Sequence, residues 1–429
     1  MAGAPQVLPQ VLVDIAPGQT RAMLMEGEAV IEAWQDQAHA PDLTGSVHRV
    51  SVDRVFSAQG RATARLVDGT PVSIRIGRRD AVEAGHLATI TIVAAPREDK
   101  PWQAVTGARL VGRDLVLLPG ESGIAMSRHL DVEPDEGVMA SLTACLASGL
   151  ATCPASCPAS CPEGTGDFGV ILRRTAVRND DLAGACRTLI DEWRQTAQNQ
   201  PTPGCIFDGG SMATRIRRQL PGAAIMQVGP DTQMLFDDAW DEMIAAVCDP
   251  QVPLAGGGRM WIEPTRALTA IDLDSGDGGL EALFTAAPSA IASQLRLRQT
   301  GGLVAIDLPR MNPATRKKLD AELAAALAAD PRHPEWVGRS RAGMLEVRLP
   351  HGRAGPASYE ADPIAAPVLA VLRRIARQPT LAAPVIELSP DMATWLNGPG
   401  AAALASLDRP VTPVVSSEAM TATLREPAR

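Results

Sequence analysis

Aromatic side chains are scarce: 429 residues hold one Tyr, five Phe and seven Trp. A surface that stacks nucleobases therefore has few rings to draw on. No run of about 18 apolar residues occurs, which leaves no candidate membrane span. The amino terminus lacks a basic flank leading into an apolar core, so no signal peptide is expected. Together these point to a cytoplasmic protein, in which the seven cysteines, an odd number, read as free thiols. The formal net charge is -9. That argues against a protein that coats nucleic acid nonspecifically, because phosphate contacts need clustered Lys and Arg.

What is present fits a soluble globular chain of roughly two to four domains, with 45% hydrophobic residues to build their cores. Basic runs at Arg75 to Arg79, Arg173-Arg174, Arg215 to Arg218 and Arg296 to Arg298 permit RNA contact, but each reads first as a solvated face. Short β-type stretches follow one another at Val47 to Val55, Arg61 to Val67, Pro71 to Ile76, Leu87 to Ala94 and Leu115 to Leu118. Five such strands predict a small barrel of the OB type, with Phe56 and Trp102 as its aromatics. Cys153, Cys157 and Cys161 are each followed by Pro, which forbids a regular helix and reads as a low-complexity surface loop.

Further on, apolar residues at three- and four-residue intervals predict a helix over 180–198 and another over 234–247. Ala255 to Arg259 reads as a turn. Met260 to Glu263 and Ala267 to Asp272 read as a hairpin, and Leu303 to Ile306 as a near-continuous apolar strand. Asn312 and Pro313 are suited to the N-cap and first turn of a helix reaching about Ala329. A helix near Val368 to Ala376 and a strand near Pro384 to Leu388 suggest a small carboxy-terminal domain. The class is mixed α/β.

Two carboxylates stand out by position. Asp272 follows four strand residues (LTAI) and Asp307 follows another, apolar strand (LVAI), and neighbouring strands would bring them to one edge. Hard cations such as Mg²⁺ take carboxylate oxygens and keep several waters. Asp274 projects to the same side as Asp272 if the strand continues. The alternative is ordinary turn chemistry, since Asp-x-Asp before Ser-Gly is common in loops.

The wording around those carboxylates goes beyond spacing. Ala267 to Gly276 (ALTAIDLDSG) and Ser293 to Asp307 (SQLRLRQTGGLVAID), with Met311 just after, closely resemble the catalytic segment of the ribonuclease E/G family, which reads ALTAIDVNSG and RQLRLRDIGGIIVIDFIDM. Gly107 to Arg128, Gly169 to Ala176 (GVILRRTA) and Ser340 to Glu346 (SRAGMLE) are similar to further family stretches. The resemblance implies magnesium ligands at Asp272 and Asp307, with Asp274 where the family places a helper asparagine. It implies a 5′-monophosphate pocket drawing on Gly123, Arg174, Thr175 and Arg341. It also implies an RNase H-like subdomain (1–43 with 205–255), an inserted OB-type RNA-binding barrel (44–116), a 5′-sensor region with the Cys-rich loop (117–204), a deoxyribonuclease-I-like catalytic subdomain (256–355) and a small carboxy-terminal domain (356–429).

The expected activity is Mg²⁺-dependent endonucleolytic cleavage of single-stranded RNA, leaving 5′-phosphate and 3′-hydroxyl ends. Departures from the family wording are Asp274 itself, Arg310 in place of a second Asp, APSAIASQ at Ala287 to Gln294, and RATARLVDG in the barrel. No Cys-Pro-x-Cys zinc link lies between Arg353 and Asp362, so any homo-oligomer forms without it. The rival expectation is a noncatalytic RNA-binding protein on a ribonuclease scaffold.

Overall fold

A computed structural model describes residues 9–77, 80–97, 100–128, 130, 132–149, 168–381 and 383–425. Cys153, Cys157 and Cys161 lie outside the described residues. The chain divides into two compact units: Met1–Asp42 with Gly222–Pro350 and Ala354–Arg429, and Leu43–Pro221 with His351–Arg353.

An antiparallel meander opens the first unit: β1 (Gln10–Ala16), β2 (Gln19–Glu26) and β3 (Ala29–Gln37). The second unit begins with the barrel, β4 (Val47–Phe56), β5 (Arg61–Arg65), β6 (Pro71–Arg75), β7 (Leu87–Ala94) and β8 (Trp102–Thr106), closed by pairing of β4 with β7. Small alternate residues such as Ala62, Ala64 and Ala104 point inward beside Val50, Val72, Ile74 and Ile90. That pattern fills an interior only wide enough for side chains. The fifth barrel strand is thus Trp102–Thr106, not the expected Leu115 to Leu118.

That last stretch is β10 (Leu115–Pro119), which joins β9 (Leu110–Val111), β11 (Gly123–Met126) and β12 (Phe168–Leu172) in a separate sheet ordered β11-β12-β10-β9. Its apolar wording could not say which sheet it would enter. Helices α1 (Glu136–Gly149) and α2 (Leu182–Thr196) pack on this sheet through Leu142, Leu189, Ile190 and Trp193. Asp181 caps α2 by accepting from the Gly184 amide. Strand β13 (Gly204–Phe207) then pairs with β4 of the barrel, and α3 (Met212–Gln219) follows. Residues 205–221 fall in the second unit, and the meander falls in the first.

The chain returns to the first unit at β14 (Ala224–Gln227), parallel to β1. Helix α4 (Gln233–Cys248) covers the meander with Phe236, Trp240 and Met243 against Met23 and Ala33. Next comes a six-stranded sheet ordered β15-β16-β17-β18-β20-β19, formed by β15 (Gln251–Pro253), β16 (Arg259–Pro264), β17 (Leu268–Asp274), β18 (Gly302–Ile306), β19 (Glu335–Arg339) and β20 (Leu345–Leu349). Helices α5 (Gly279–Leu297) and α6 (Pro313–Ala328) lie on one face of it. Asn312 caps α6 by accepting from the Thr315 amide, with Pro313 in the first turn. The short α7 (Pro356–Glu360) leads to a small carboxy-terminal layer of α8 (Ala365–Ala376), β21 (Val385–Leu388), α9 (Pro390–Asn397), α10 (Ala401–Ala405), β22 (Thr412–Val415) and β23 (Thr423–Arg425), which has its own core. No helix among the described residues is long and apolar enough to cross a membrane.

Candidate active site at the ends of two parallel strands

Period-two alternation decides which side chains of the six-stranded sheet meet solvent. On β16 and β17, Met260, Ile262, Ile271 and Leu273 are buried under α5 and α6 with Leu283, Ile291 and Leu323. Each such side chain stabilises the layer by about 1.5–3 kcal/mol. The intervening residues are therefore held on the opposite face: Arg259, Glu263, Asp272 and Asp274 are exposed and Trp261 is half-buried. On β18, Val304 and Ile306 enter the same core, and Asp307, the next residue past the strand, is exposed.

Parallel pairing sets Ile271 level with Ile306. The Asp307 amide donates to the Ile271 carbonyl at 2.8 Å, so the ladder runs one step further. Asp272 and Asp307 consequently occupy adjacent positions, one strand spacing or about 4.8 Å apart at the backbone, on the helix-free face. Asp272 stands two residues before the carboxyl end of β17 and Asp307 just past that of β18, the side on which open α/β sheets commonly bind ligands.

The third carboxylate is used differently. Asp274 accepts from the Gly276 amide at 3.0 Å, an Asx turn that leads out of β17. Antiparallel register puts Arg259 directly opposite Asp274 and Trp261 directly opposite Asp272. The turn needs its glycines: a Cβ on Gly276 would sit 2.4 Å from the Gly257 carbonyl oxygen, and one on Gly278 would sit 1.6 Å from that of Gly256. The Gly-rich stretch before β16 and the Ser-Gly-Asp-Gly stretch after β17 are thus two loops in backbone contact.

Among the described residues, no group of three or more His, Cys, Asp or Glu is arranged to hold a metal. A divalent ion here would rest on two carboxylates and water. That donor set fits Mg²⁺, which usually takes one or two carboxylates and keeps the rest of its hydration shell.

The residues expected to grip a 5′-phosphate are distributed between the units. Arg174 and Thr175 begin a short 3₁₀ turn just after β12. Arg174 is exposed, while the Thr175 hydroxyl donates to the Arg113 carbonyl at 2.7 Å. Gly123 opens β11 level with Gly169, five residues before Arg174. Strand β12 ends at Leu172, so Arg174 and Thr175 lie in the turn beyond it. Arg341 is exposed at the turn between β19 and β20, in the other unit.

Several basic runs that read as solvated faces are instead spent on internal structure. Arg173 donates to the Gly112 carbonyl at 2.7 Å, and burial lowers its pKa despite the nearby Asp114. Arg296 pairs with Glu32 at 2.6 Å. Arg298 donates to the carbonyls of Ala246, Val247 and Asp249. Arg218 is almost fully buried, 3.6 Å from Glu192. In the barrel, Trp102 packs on the interior core while Phe56 is exposed.

Fold and site together define a multi-domain α/β protein with a closed five-stranded barrel and a pair of strand-end aspartates on an open sheet face. Residues 230–348, which include both aspartates, match the model of the Ribonuclease E/G family. The chain is 21% identical over 400 residues to Ribonuclease G of Salmonella typhimurium (strain SL1344), covering 79% of each protein. It is 21% identical over 403 residues to Ribonuclease G of Haemophilus influenzae, covering 79% of this chain and 78% of the relative. To Ribonuclease E of Haemophilus influenzae it is 26% identical over 313 residues, covering 63% of this chain and 32% of the longer relative. The ribonuclease E/G family is thus the one this chain is similar to, through residues 230–348 and through relatives that span 79% of its length.

Proposed function

We propose that the protein is an endoribonuclease that cleaves single-stranded RNA with Mg²⁺ bound between Asp272 and Asp307. The observation that carries this reading is the in-register meeting of those two aspartates on the exposed face, inside the segment that matches the family model. Magnesium, when bound, would supply Lewis acidity toward the scissile phosphate and an activated water for in-line attack. The two aspartates would hold the ion and, through its position, align the phosphate. Asp274 would orient water near the ion with the oxygen not taken by the Gly276 amide. The six-stranded layer would serve as the deoxyribonuclease-I-like catalytic subdomain and the meander with α4 as the RNase H-like one.

RNA would also engage the barrel. Recognition of a 5′-monophosphate would draw on Arg174, Thr175 and Gly123 of the second unit, while Arg341 belongs to the first. The compartment would be the cytoplasm, and any homo-oligomer would assemble without a zinc link.

The test is incubation of purified protein with a fluorescent, 5′-monophosphorylated oligoribonucleotide, in Mg²⁺ or in EDTA. Cleavage in Mg²⁺ alone, lost in Asp272→Asn and Asp307→Asn, is expected. Undiminished cleavage in those variants refutes the assignment. Salt-sensitive binding without cleavage by the unaltered protein would select the noncatalytic reading, which the exchange of the family asparagine for Asp274 favours.

A further inference from the structure

We propose that Trp261 stacks on the nucleobase next to the scissile phosphate and gives the enzyme a preference for a purine there. The inference rests on the cleavage reading above and adds a residue that contacts the substrate base.

The seven tryptophans separate by use. Trp34, Trp193 and Trp240 are buried. Trp102 packs on the barrel core, and Trp395 meets His39 edge to face at 5.0 Å. Trp336 is exposed on the edge strand β19. Trp261 is half-buried, yet it takes no part in the core beneath its sheet, because its neighbours Met260 and Ile262 take those positions. Its ring belongs to the open face.

Register fixes what stands beside it. Gln251 of β15, Trp261 of β16, Asp272 of β17 and Asp307 just past β18 form one row across four neighbouring strands. The midpoint between the two aspartates is one and a half strand spacings from Trp261, about 7 Å. Ala270 and Ala305 are paired with each other in the next row on this face, opposite Glu263. Arg259, two residues before Trp261 on the same face, is exposed and makes no ion pair with a described residue, so it is available for a backbone phosphate. A phosphate held at the aspartates thus has an indole at nucleotide distance. Every base has a π-face, and preferences on such platforms follow stacking strength, which favours the larger purine ring.

Trp261→Leu keeps an apolar side chain but removes the aromatic face, and Trp261→Phe keeps a smaller one. Binding is read by anisotropy of a labelled oligoribonucleotide in EDTA, and cleavage in Mg²⁺ on pyrimidine oligonucleotides carrying one purine at successive positions. Trp261→Leu is expected to weaken binding about 5- to 150-fold and to flatten the purine preference, while Trp261→Phe retains most of both. RNA-dependent quenching of tryptophan emission should also fall in Trp261→Phe, a readout that holds even if the Leu variant folds poorly. Unchanged quenching in Trp261→Phe, or wild-type affinity and base preference in Trp261→Leu, overturns the proposal. If the unaltered protein binds RNA with Trp261-dependent quenching but does not cut it, the cleavage reading fails and base stacking stands. If it cuts RNA at a rate indifferent to Trp261, only the stacking proposal fails.

Discussion

Two exposed carboxylates on adjacent parallel strands repel each other when no cation lies between them. Neutralising one should therefore make the metal-free protein more stable while removing a ligand of the proposed Mg²⁺ site. With the charges about 5 Å apart, as strand spacing suggests, Coulomb repulsion in water is about 0.8 kcal/mol. Physiological salt, with a Debye length of about 8 Å, reduces this by roughly half. Asp307→Asn in EDTA should thus gain about 0.4–0.8 kcal/mol and melt roughly 1–3 °C higher than the unaltered protein. Mg²⁺ reverses the order. At about 100 times its Kd the ion would stabilise the unaltered protein by about 2.7 kcal/mol and the variant by much less. Thermal melts of both proteins in EDTA and across a Mg²⁺ titration should therefore cross, and the crossing should coincide with cleavage confined to the unaltered protein. An Asn variant that is less stable than the parent in EDTA by more than about 1 kcal/mol would mean that Asp307 serves the fold. Equal stabilisation of both proteins by Mg²⁺ would place the ion elsewhere.

Three further outcomes are expected. Arg174→Gln should bring the rates on 5′-phosphorylated and 5′-hydroxyl RNA together without lowering Tm. Its neighbour Arg173→Gln, which loses donors to the Gly112 and Arg113 carbonyls, should lower Tm; the opposite pattern would exchange their roles. Arg21 is fully buried, donates to Asp14 and Asp237, and lies 5.1 Å from the Phe236 ring centre and 5.0 Å from that of Trp240. Arg377 also pairs with both aspartates, so Arg21→Met should cost about 3 kcal/mol in urea unfolding, and a loss below about 1 kcal/mol would show that Arg377 suffices. Burial raises the Glu192 carboxyl above its ordinary 4.5, against the opposing pull of Arg218. The folded chain then holds this proton more tightly than the unfolded one. The group's contribution is present below about pH 4.5 and is lost as pH rises through the folded value. The Tm of Glu192→Gln relative to the parent should climb over that window, and a flat difference would refute the shift.

Local wording was legible where local physics sets the outcome. Asn312-Pro313 announced the start of α6 because a side-chain acceptor followed by a residue lacking an amide suits a helix entrance. The α2 pattern matched its buried stripe of Leu182, Cys186, Leu189, Ile190 and Trp193. The barrel's fifth strand was missed because Trp102–Thr106 is mixed in character, whereas Leu115–Pro119, of the same length, carries a stronger apolar signal that a different sheet uses. The basic runs misled for a related reason. Charge in a sequence does not reveal whether a buried carbonyl or carboxylate awaits it, and Arg173, Arg218, Arg296 and Arg298 all meet one.

By itself the chain of residues determined that Asp272 and Asp307 each follow a strand segment, LTAI and LVAI, although β17 runs two residues past Asp272 to Asp274. It also determined the family wording around them. Only the tertiary structure decided that the two strands are neighbours, parallel and in register, since strand order and register arise from packing of a whole sheet against α5 and α6. The same register placed Trp261 opposite Asp272 and Arg259 opposite Asp274. Those pairings join residues 11 and 15 positions apart in sequence, and their neighbours on the face come from β18, further still along the chain. Short-range pattern carries no information at that distance, so the composition of the open face emerged only with the fold.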